Sequence, residues 1–431
     1  MCDLNKIIVN GGRKLSGETT IQGAKNSVLP ILVASLLVDG ISVIHNCPKL
    51  SDVDATIKIL QYLGCIVTRE GHTITVDATC VSRYDVPDDL MREMRSSIVF
   101  LGGILGRMGK AKLSTPGGCE IGLRPIDLHL SSMEQFGATV TTEDGFILCS
   151  STENGLVGTR ITLSFPSVGA TENIILAATL AKGTTIISNA AREPEISDLA
   201  DFLNRSGAKI RGAGDSTVII EGVKKLTPAE HTVIPDRIVA STYMIATAMT
   251  GGRIIINDIV PSHIAPIIQP LREAGCLVEI NKKQVMLESP KTLKRIRMIR
   301  TMPHPGFPTD VQAQMMALTT IADGTSVIVE NIFESRFKHI GELLRFGAKI
   351  HVEGRMAVIE GVKNLNGANV RATDLRGGSA MILAGLSAKG TTEITDIYHI
   401  DRGYENPEKV LENLGADIKR VKTDEKSRTT E

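Results

Sequence analysis

Two kinds of apolar stretch alternate along the chain. One is apolar on every face, as in SVLPILVASLL, TENIILAATLA and SAMILAGLSA. The other is apolar only at helical spacing, as in ISDLADFLNRSGAKI, where Ile196, Leu199 and Leu203 share one side. The first kind predicts helices enclosed by protein, the second helices with one wet face. The second kind runs each time into a glycine and then a β-prone stretch: LGCIV at 63, FGATV at 136, SGAKI at 206, AGCLV at 274, FGAKI at 346 and LGADI at 414. Gly64, Gly137, Gly207, Gly275, Gly347 and Gly415 therefore fall where a helix C-cap needs the left-handed backbone.

A second phrase interleaves with the first: LLVDGISVIHN, TLAKGTTIISN, AMTGGRIIIND, TIADGTSVIVEN and GLSAKGTTEITD, with a looser form in GRMGKAKLST. An enclosed helix ends at glycine and a short strand begins. The two phrases recur at about 70 residues, the mark of internal repetition. Each unit reads strand–helix–strand–helix–strand. Six units grouped three and three predict an α/β chain of two similar lobes, with the more uniformly apolar helices at the centre of each. The expected first lobe spans 25–232. The second joins 1–24 to 233–425, and 426–431 is a frayed tail. IQGAKN and LTPAEHTVIPDR are the expected crossings, and two crossings make a hinge.

The chain has 431 residues, with 48 basic and 48 acidic side chains. A nucleic-acid binder ordinarily shows a basic excess, so no such partner is expected. The most basic run, KTLKRIRMIR, alternates like an exposed strand face. Nine Phe, five Tyr and no Trp leave a core built from Ile, Val, Leu and Ala. Seven scattered cysteines without a CxxC pair suggest neither a disulfide framework nor a zinc site. No stretch is long and apolar enough to span a membrane, and MCDLNKIIVNGG lacks a signal-peptide core, so the cytoplasm is the expected compartment. Walker A, GxGxxG and HExxH motifs are absent, and no cofactor or metal is expected. Nothing in the sequence sets an oligomeric state.

LSTPGGCEIGLRPIDLHL sets Cys119 after two glycines and close to Arg124. Free backbone N–H groups and a cation lower a thiol pKa, which makes this the one cysteine with a reactive setting; a lone loop cysteine is also a common incidental feature. Cys65 and Cys276 stand where other repeats have Ala, so they read as core. Lys25, Arg95, Arg124, Arg336, Arg376 and Arg402 each lie at a turn or helix start. Singly each reads as a solvated charge; together they imply an anionic substrate with more than one phosphate or carboxylate. Asp310, in HPGFPTDVQAQ, reads first as a helix N-cap and second as a general base. His129 and His304 receive no role.

These residues lie in motifs that resemble one family. QGAKN, PGGCEIGLRPIDLH, SVGATEN, NAAREPEI, RTMPHPGFPTDVQAQ, FESRF, ATDLRGG and YHIDRGYE are similar to the UDP-N-acetylglucosamine 1-carboxyvinyltransferases among the enolpyruvyl transferases, nearly end to end. The resemblance implies a two-lobed inside-out α/β barrel. It also implies transfer of the enolpyruvyl group of phosphoenolpyruvate to the 3′-hydroxyl of UDP-N-acetylglucosamine, the first committed step of peptidoglycan synthesis. It further implies Cys119 as proton donor, able to form a covalent adduct, and Asp310 as base. Lys25, Arg124 and Arg402 would be phosphate-side cations; Arg336 and Arg376 would hold the donor carboxylate, with Asn26 and Arg95 in the same pocket. The nucleotide-sugar contacts would be Arg95, Arg124, Pro125, Ile126, Asp127, Leu128, Ser167, Val168, Asp310 and Ile332. The Cys119 loop would act as a lid. Phe165 and Pro166 stand where some relatives have a lysine, and Pro407 opens a helix usually written without proline. The sister family acting on shikimate 3-phosphate lacks the PGGC loop. A non-catalytic nucleotide-binding paralogue is the other alternative.

Overall fold

All six repeat glycines have positive φ, from +86° at Gly137 and Gly347 to +106° at Gly64, and each follows an amphipathic helix. The glycines of the second phrase, Gly40, Gly109, Gly183, Gly251, Gly324 and Gly390, also have positive φ, each just before a strand. The computed structural model describes residues 5–114 and 126–422, without the Arg95 side chain. Among them lie six four-stranded sheets of one topology. In one, Arg160–Thr162 runs parallel to Thr184–Ser188, which pairs antiparallel with Thr217–Glu221, which pairs with Lys209–Arg211. Each repeat is thus strand–helix–strand–helix–strand–strand. That is one strand more than the expected unit, because the stretch after each repeat glycine turns back on itself as a hairpin.

The chain forms two units, residues 5–22 with 235–422, and residues 23–114 with 126–234. It passes between them at Gln22–Gly23 and Ile234–Pro235. In the first unit, Asn5–Asn10 lies between Thr391–Thr395 and Asp417–Lys422, and so supplies a strand of the sixth repeat. Ser16–Thr20 pairs in parallel with Arg253–Asn257 of the fourth. In the second unit, Glu230–Thr232 closes the first repeat's sheet beside Ile41–His45.

Each unit has its apolar helices at the centre. Arg237–Thr250, Gln312–Thr319 and Leu375–Ser387 pack on one another, and Gln312–Thr319 is buried throughout. In the other unit Phe100–Met108 packs on Val168–Thr179 and on Lys25–Ala34. Their approach is close: a Cβ at Gly102 would lie 2.3 Å from the Asn173 carbonyl oxygen. The outer helices bury one face, as Pro194–Arg205 does with Ile196, Leu199 and Leu203. Removing such faces from water is the main driving force for each unit. Among the described residues no helix is long and apolar enough to cross a membrane.

Candidate active site

In the unit of residues 235–422, three central helices begin near one another and bring charged residues to their N-termini. Asp236 caps Arg237–Thr250 by accepting from the Ile238 and Val239 N–H groups at 2.8 and 3.0 Å. Asp374 caps Leu375–Ser387 by accepting from Arg376 N–H at 2.9 Å. Asp310 does not cap Gln312–Thr319, contrary to the first expectation: no side-chain cap bond opens that helix, and Asp310 sits in the preceding 3₁₀ turn Thr309–Val311. Its carboxylate faces two guanidiniums instead. Arg336 Nη2 lies 2.7 Å from Oδ1, and Arg376 Nη2 lies 3.2 Å from Oδ2.

Both arginines are about 5% exposed, whereas the Asp310 side chain keeps 28% of its surface. Burial alone would raise the Asp310 pKa, but Arg376 and then Arg336 outweigh it and hold the carboxyl below the usual carboxylate range. Burial likewise opposes the Arg376 charge, and Asp310 overcomes it, so that pKa rises. The buried Arg336 Nε has no hydrogen-bond partner among the described residues. His339 is buried within electrostatic reach of Asp374 and Arg336; burial pushes its pKa down to about 4. Arg402 is half-buried just after Tyr398–Asp401. Gln22, quoted in the QGAKN motif but given no role there, grips the next turn. Its Nε2 donates to the Gly403 carbonyl at 3.1 Å, and its Oε1 accepts from Glu405 N–H at 2.9 Å. Ile332 is half-buried in the loop between Thr325–Val329 and Arg336.

In the unit of residues 23–234, Lys25 opens the central helix Lys25–Ala34 and is 8% exposed. Its Nζ lies 2.6 Å from Asp52 Oδ2, which is buried in the first turn of Ser51–Tyr62. Asp52 was missed by sequence reading; its only sign is an acid at a helix start. Asn26 is half-buried beside Lys25. Ser167 caps Val168–Thr179 through the Ala170 N–H, and Val168 begins that helix. Ile126 and Asp127 open Asp127–Gln135; Asp127 is exposed, Ile126 and Leu128 half-buried. His129, unassigned from sequence, is buried with Nδ1 2.7 Å from Asn173 Nδ2, and burial lowers its pKa to about 4. Phe165 is 42% exposed at the start of this loop.

Cys119, Arg124 and Pro125 lie outside the described residues, as does the Arg95 side chain; Arg95 itself opens the 3₁₀ turn Arg95–Val99. Of the other cysteines, Cys47, Cys65, Cys149 and Cys276 are buried, and burial pushes each thiol up to about 12. None of the four can supply a thiolate near neutral pH.

Arg336 and Arg376 around the Asp310 carboxylate, beside the starts of central helices on a repeated α/β frame, make a buried cationic cluster suited to an anion. The model of the EPSP synthase (3-phosphoshikimate 1-carboxyvinyltransferase) family matches residues 9–411, and the chain belongs to that family. It is 52% identical over 97% of its length, and all of the relative's, to UDP-N-acetylglucosamine 1-carboxyvinyltransferase 2 of Caldanaerobacter subterraneus subsp. tengcongensis. It is 49% identical over 97% of its length, and all of the relative's, to UDP-N-acetylglucosamine 1-carboxyvinyltransferase of Geobacter metallireducens. The enolpyruvyl transferase NikO from Streptomyces tendae superposes with a TM-score of 0.88 at 26% identity, covering 98% of this chain and 100% of that one. EPSP synthase from Acinetobacter baumannii shares the fold, with a TM-score of 0.74 at 17% identity over 97% of this chain and 99% of that one.

Proposed function

We propose that the chain transfers the enolpyruvyl group of phosphoenolpyruvate to the 3′-hydroxyl of UDP-N-acetylglucosamine and releases phosphate, in the cytoplasm, as the first committed step of peptidoglycan synthesis. The observation that carries the reaction class is the Asp310 carboxylate held between Arg336 and Arg376. The acceptor is supported by the names of the relatives that are about half identical over full length and by the PGGCEIGLRPIDLH motif.

The residues then divide the chemistry. The Cys119 thiol protonates the methylene carbon of the donor, and C2 becomes electrophilic. The acceptor hydroxyl attacks C2 while Asp310 takes its proton. The methyl carbon then returns a proton to the Cys119 thiolate as the bond from C2 to the phosphate oxygen breaks, which restores the double bond, and the departing phosphate carries off the proton held by Asp310. Lys25, Arg124 and Arg402 neutralise the phosphate; Arg336 and Arg376 take the donor carboxylate, with Asn26 and Arg95 in the same pocket. Arg95, Arg124, Pro125, Ile126, Asp127, Leu128, Ser167, Val168, Asp310 and Ile332 hold the nucleotide sugar. Asp310 pairs with the two arginines assigned to the donor carboxylate. When the donor carboxylate takes Arg336 and Arg376, Asp310 loses its two counter-charges and becomes a stronger base at the moment a base is required.

The test is phosphate release from phosphoenolpyruvate with UDP-N-acetylglucosamine, with shikimate 3-phosphate and with neither. Release dependent on the nucleotide sugar is expected, together with loss of fosfomycin labelling in Cys119→Ser. Folded protein that releases phosphate only with shikimate 3-phosphate would transfer the assignment to the sister reaction. Folded protein that releases none would end it, and persistent labelling of Cys119→Ser would put the reactive thiol elsewhere.

A further inference from the structure

Glu330 follows its strand end directly, where other repeats place a left-handed residue. In two other repeats the residue after the edge strand donates its N–H to the last residue of the neighbouring strand: Val233 to His45 at 3.1 Å and Leu163 to Ser188 at 3.0 Å. The next residue, Asn46 or Asn189, is left-handed, with φ +58° and +56°. Its side chain donates back to the Val233 or Leu163 carbonyl at 2.9 or 2.8 Å. In the fifth repeat Thr301 donates to Val329 at 3.0 Å in the same way. There, however, Asn331 makes the return bond, to the Thr301 carbonyl at 3.2 Å. Glu330 stands between the strand end and that asparagine, and neither residue has positive φ.

The Glu330 side chain is 1% exposed. Its Oε1 accepts from the Thr301 hydroxyl at 2.9 Å, from Ile332 N–H at 2.8 Å and from Phe333 N–H at 3.1 Å. Its Oε2 accepts from the Thr309 hydroxyl at 3.0 Å. These donors belong to two loops. Thr301 and Thr309 bracket the loop that ends at Asp310; Ile332 and Phe333 begin the loop that ends at Arg336. The Thr309 carbonyl itself accepts from Arg336 Nη2 at 3.4 Å. A carboxylate buried against neutral donors alone costs free energy, which four hydrogen bonds offset, and such a group fixes the geometry of whatever it ties together.

We propose that Glu330 is a positioning residue: it locks the loop carrying Asp310 to the loop carrying Arg336 and so sets the distance between base and carboxylate clamp. This rests on the roles given above to Asp310 and Arg336. Misplacing reacting groups by an ångström costs up to about a hundredfold in rate.

The experiment measures kcat, KM for phosphoenolpyruvate, KM for UDP-N-acetylglucosamine and thermal midpoint for the full chain and three variants, with kcat normalised to folded, nucleotide-binding protein. Glu330→Ala should lower kcat by about tenfold and raise the phosphoenolpyruvate KM about fivefold, with the nucleotide KM within about twofold. Glu330→Gln, which keeps an acceptor for Thr301, Ile332 and Phe333 and lets the Thr309 hydroxyl accept, should recover most of both. Folded Glu330→Ala with kcat and phosphoenolpyruvate KM unchanged, even with a lower thermal midpoint, would overturn the proposal. So would a Gln variant as impaired as the Ala variant, since charge and not the bonded loops would then matter. Should Glu330→Ala fail to fold, Thr309→Val decides: a fall in kcat of about tenfold supports the role and an unchanged kcat rejects it. An inactive wild-type chain in the same assay would instead remove the reaction assignment, and this role with it.

Discussion

At the scale of single residues, the contrast lies between Asp310 and the residues that open comparable helices. Ser167, Asp236 and Asp374 spend their side chains on capping. Asp310 lies one 3₁₀ turn earlier and leaves its charge to two arginines. From sequence a cap and a base look alike, because both are acids before an apolar helix. Lys25, Arg336 and Arg376 were legible as cations at turns and helix starts. Asp52 and Gln22 were not, since each acts across the fold on a segment that local pattern does not bring near. The buried histidines give a prediction at this scale. His129 and His339 have folded pKa values near 4, well below an unfolded histidine near 6.5. Below pH 6.5 the unfolded chain therefore binds more protons than the folded one. The stability from keeping these rings neutral is complete above pH 6.5 and is lost as pH falls towards 4, by on the order of 3 kcal/mol for each. Asp310, held below the carboxylate range, loses its contribution only at more acid pH. Urea midpoints measured from pH 8 to pH 4 should fall in that window, and His129→Gln should flatten the fall. An unchanged slope in the variant would remove His129 from the account.

At the scale of elements, the enclosed helices were readable because a helix apolar on all faces has nowhere to go but the centre. The amphipathic helices were readable from their 3.6-residue period, and their ends from the glycines that follow. The hairpins were not: the stretch after a repeat glycine folds back within a few residues, as Lys209–Arg211 does on Thr217–Glu221, and a three-residue strand is too short for alternation to register. What no periodicity reports is how close two central helices come. Gly102 N–H donates to Asn173 Oδ1 at 2.6 Å, and a methyl group at Gly102 would meet the Asn173 carbonyl oxygen at 2.3 Å. Gly102→Ala must push Phe100–Met108 away from Val168–Thr179 and disturb the Asn173 contact to His129. A loss of about 1–3 kcal/mol is expected from overpacking, partly set against the helix propensity alanine gains over glycine. Urea unfolding of the variant checks it; stability equal to or above the parent would show that the helices can part at no cost.

At the scale of the whole chain, the N-terminal segment is a structural part of the unit formed mainly by residues 235–422. Asn5–Asn10 is an interior strand: it pairs with Thr391–Thr395 on one side and with Asp417–Lys422 on the other. Side chains reinforce both edges. Lys6 Nζ lies 2.6 Å from Glu393 on one side, and Asn10 Nδ2 donates to Asp417 at 3.3 Å on the other. Gln22 then fixes the turn after Arg402. Without residues 1–22 one sheet loses its inner strand, another loses the edge strand Ser16–Thr20, and Ile7, Val9 and Leu15 leave the core. Three newly open strand edges and an uncovered apolar face are more than a unit of ordinary stability tolerates. Residues 23–234 carry all the strands of their own three sheets in one continuous stretch. A fragment of residues 235–431 should therefore show no cooperative thermal transition by circular dichroism, while adding residues 1–22, covalently or as a peptide, should restore one. The fragment 23–234 should melt cooperatively by itself. A sharp transition in 235–431 alone, with no shift when the peptide is added, would mean that the sixth repeat can close without its borrowed strand.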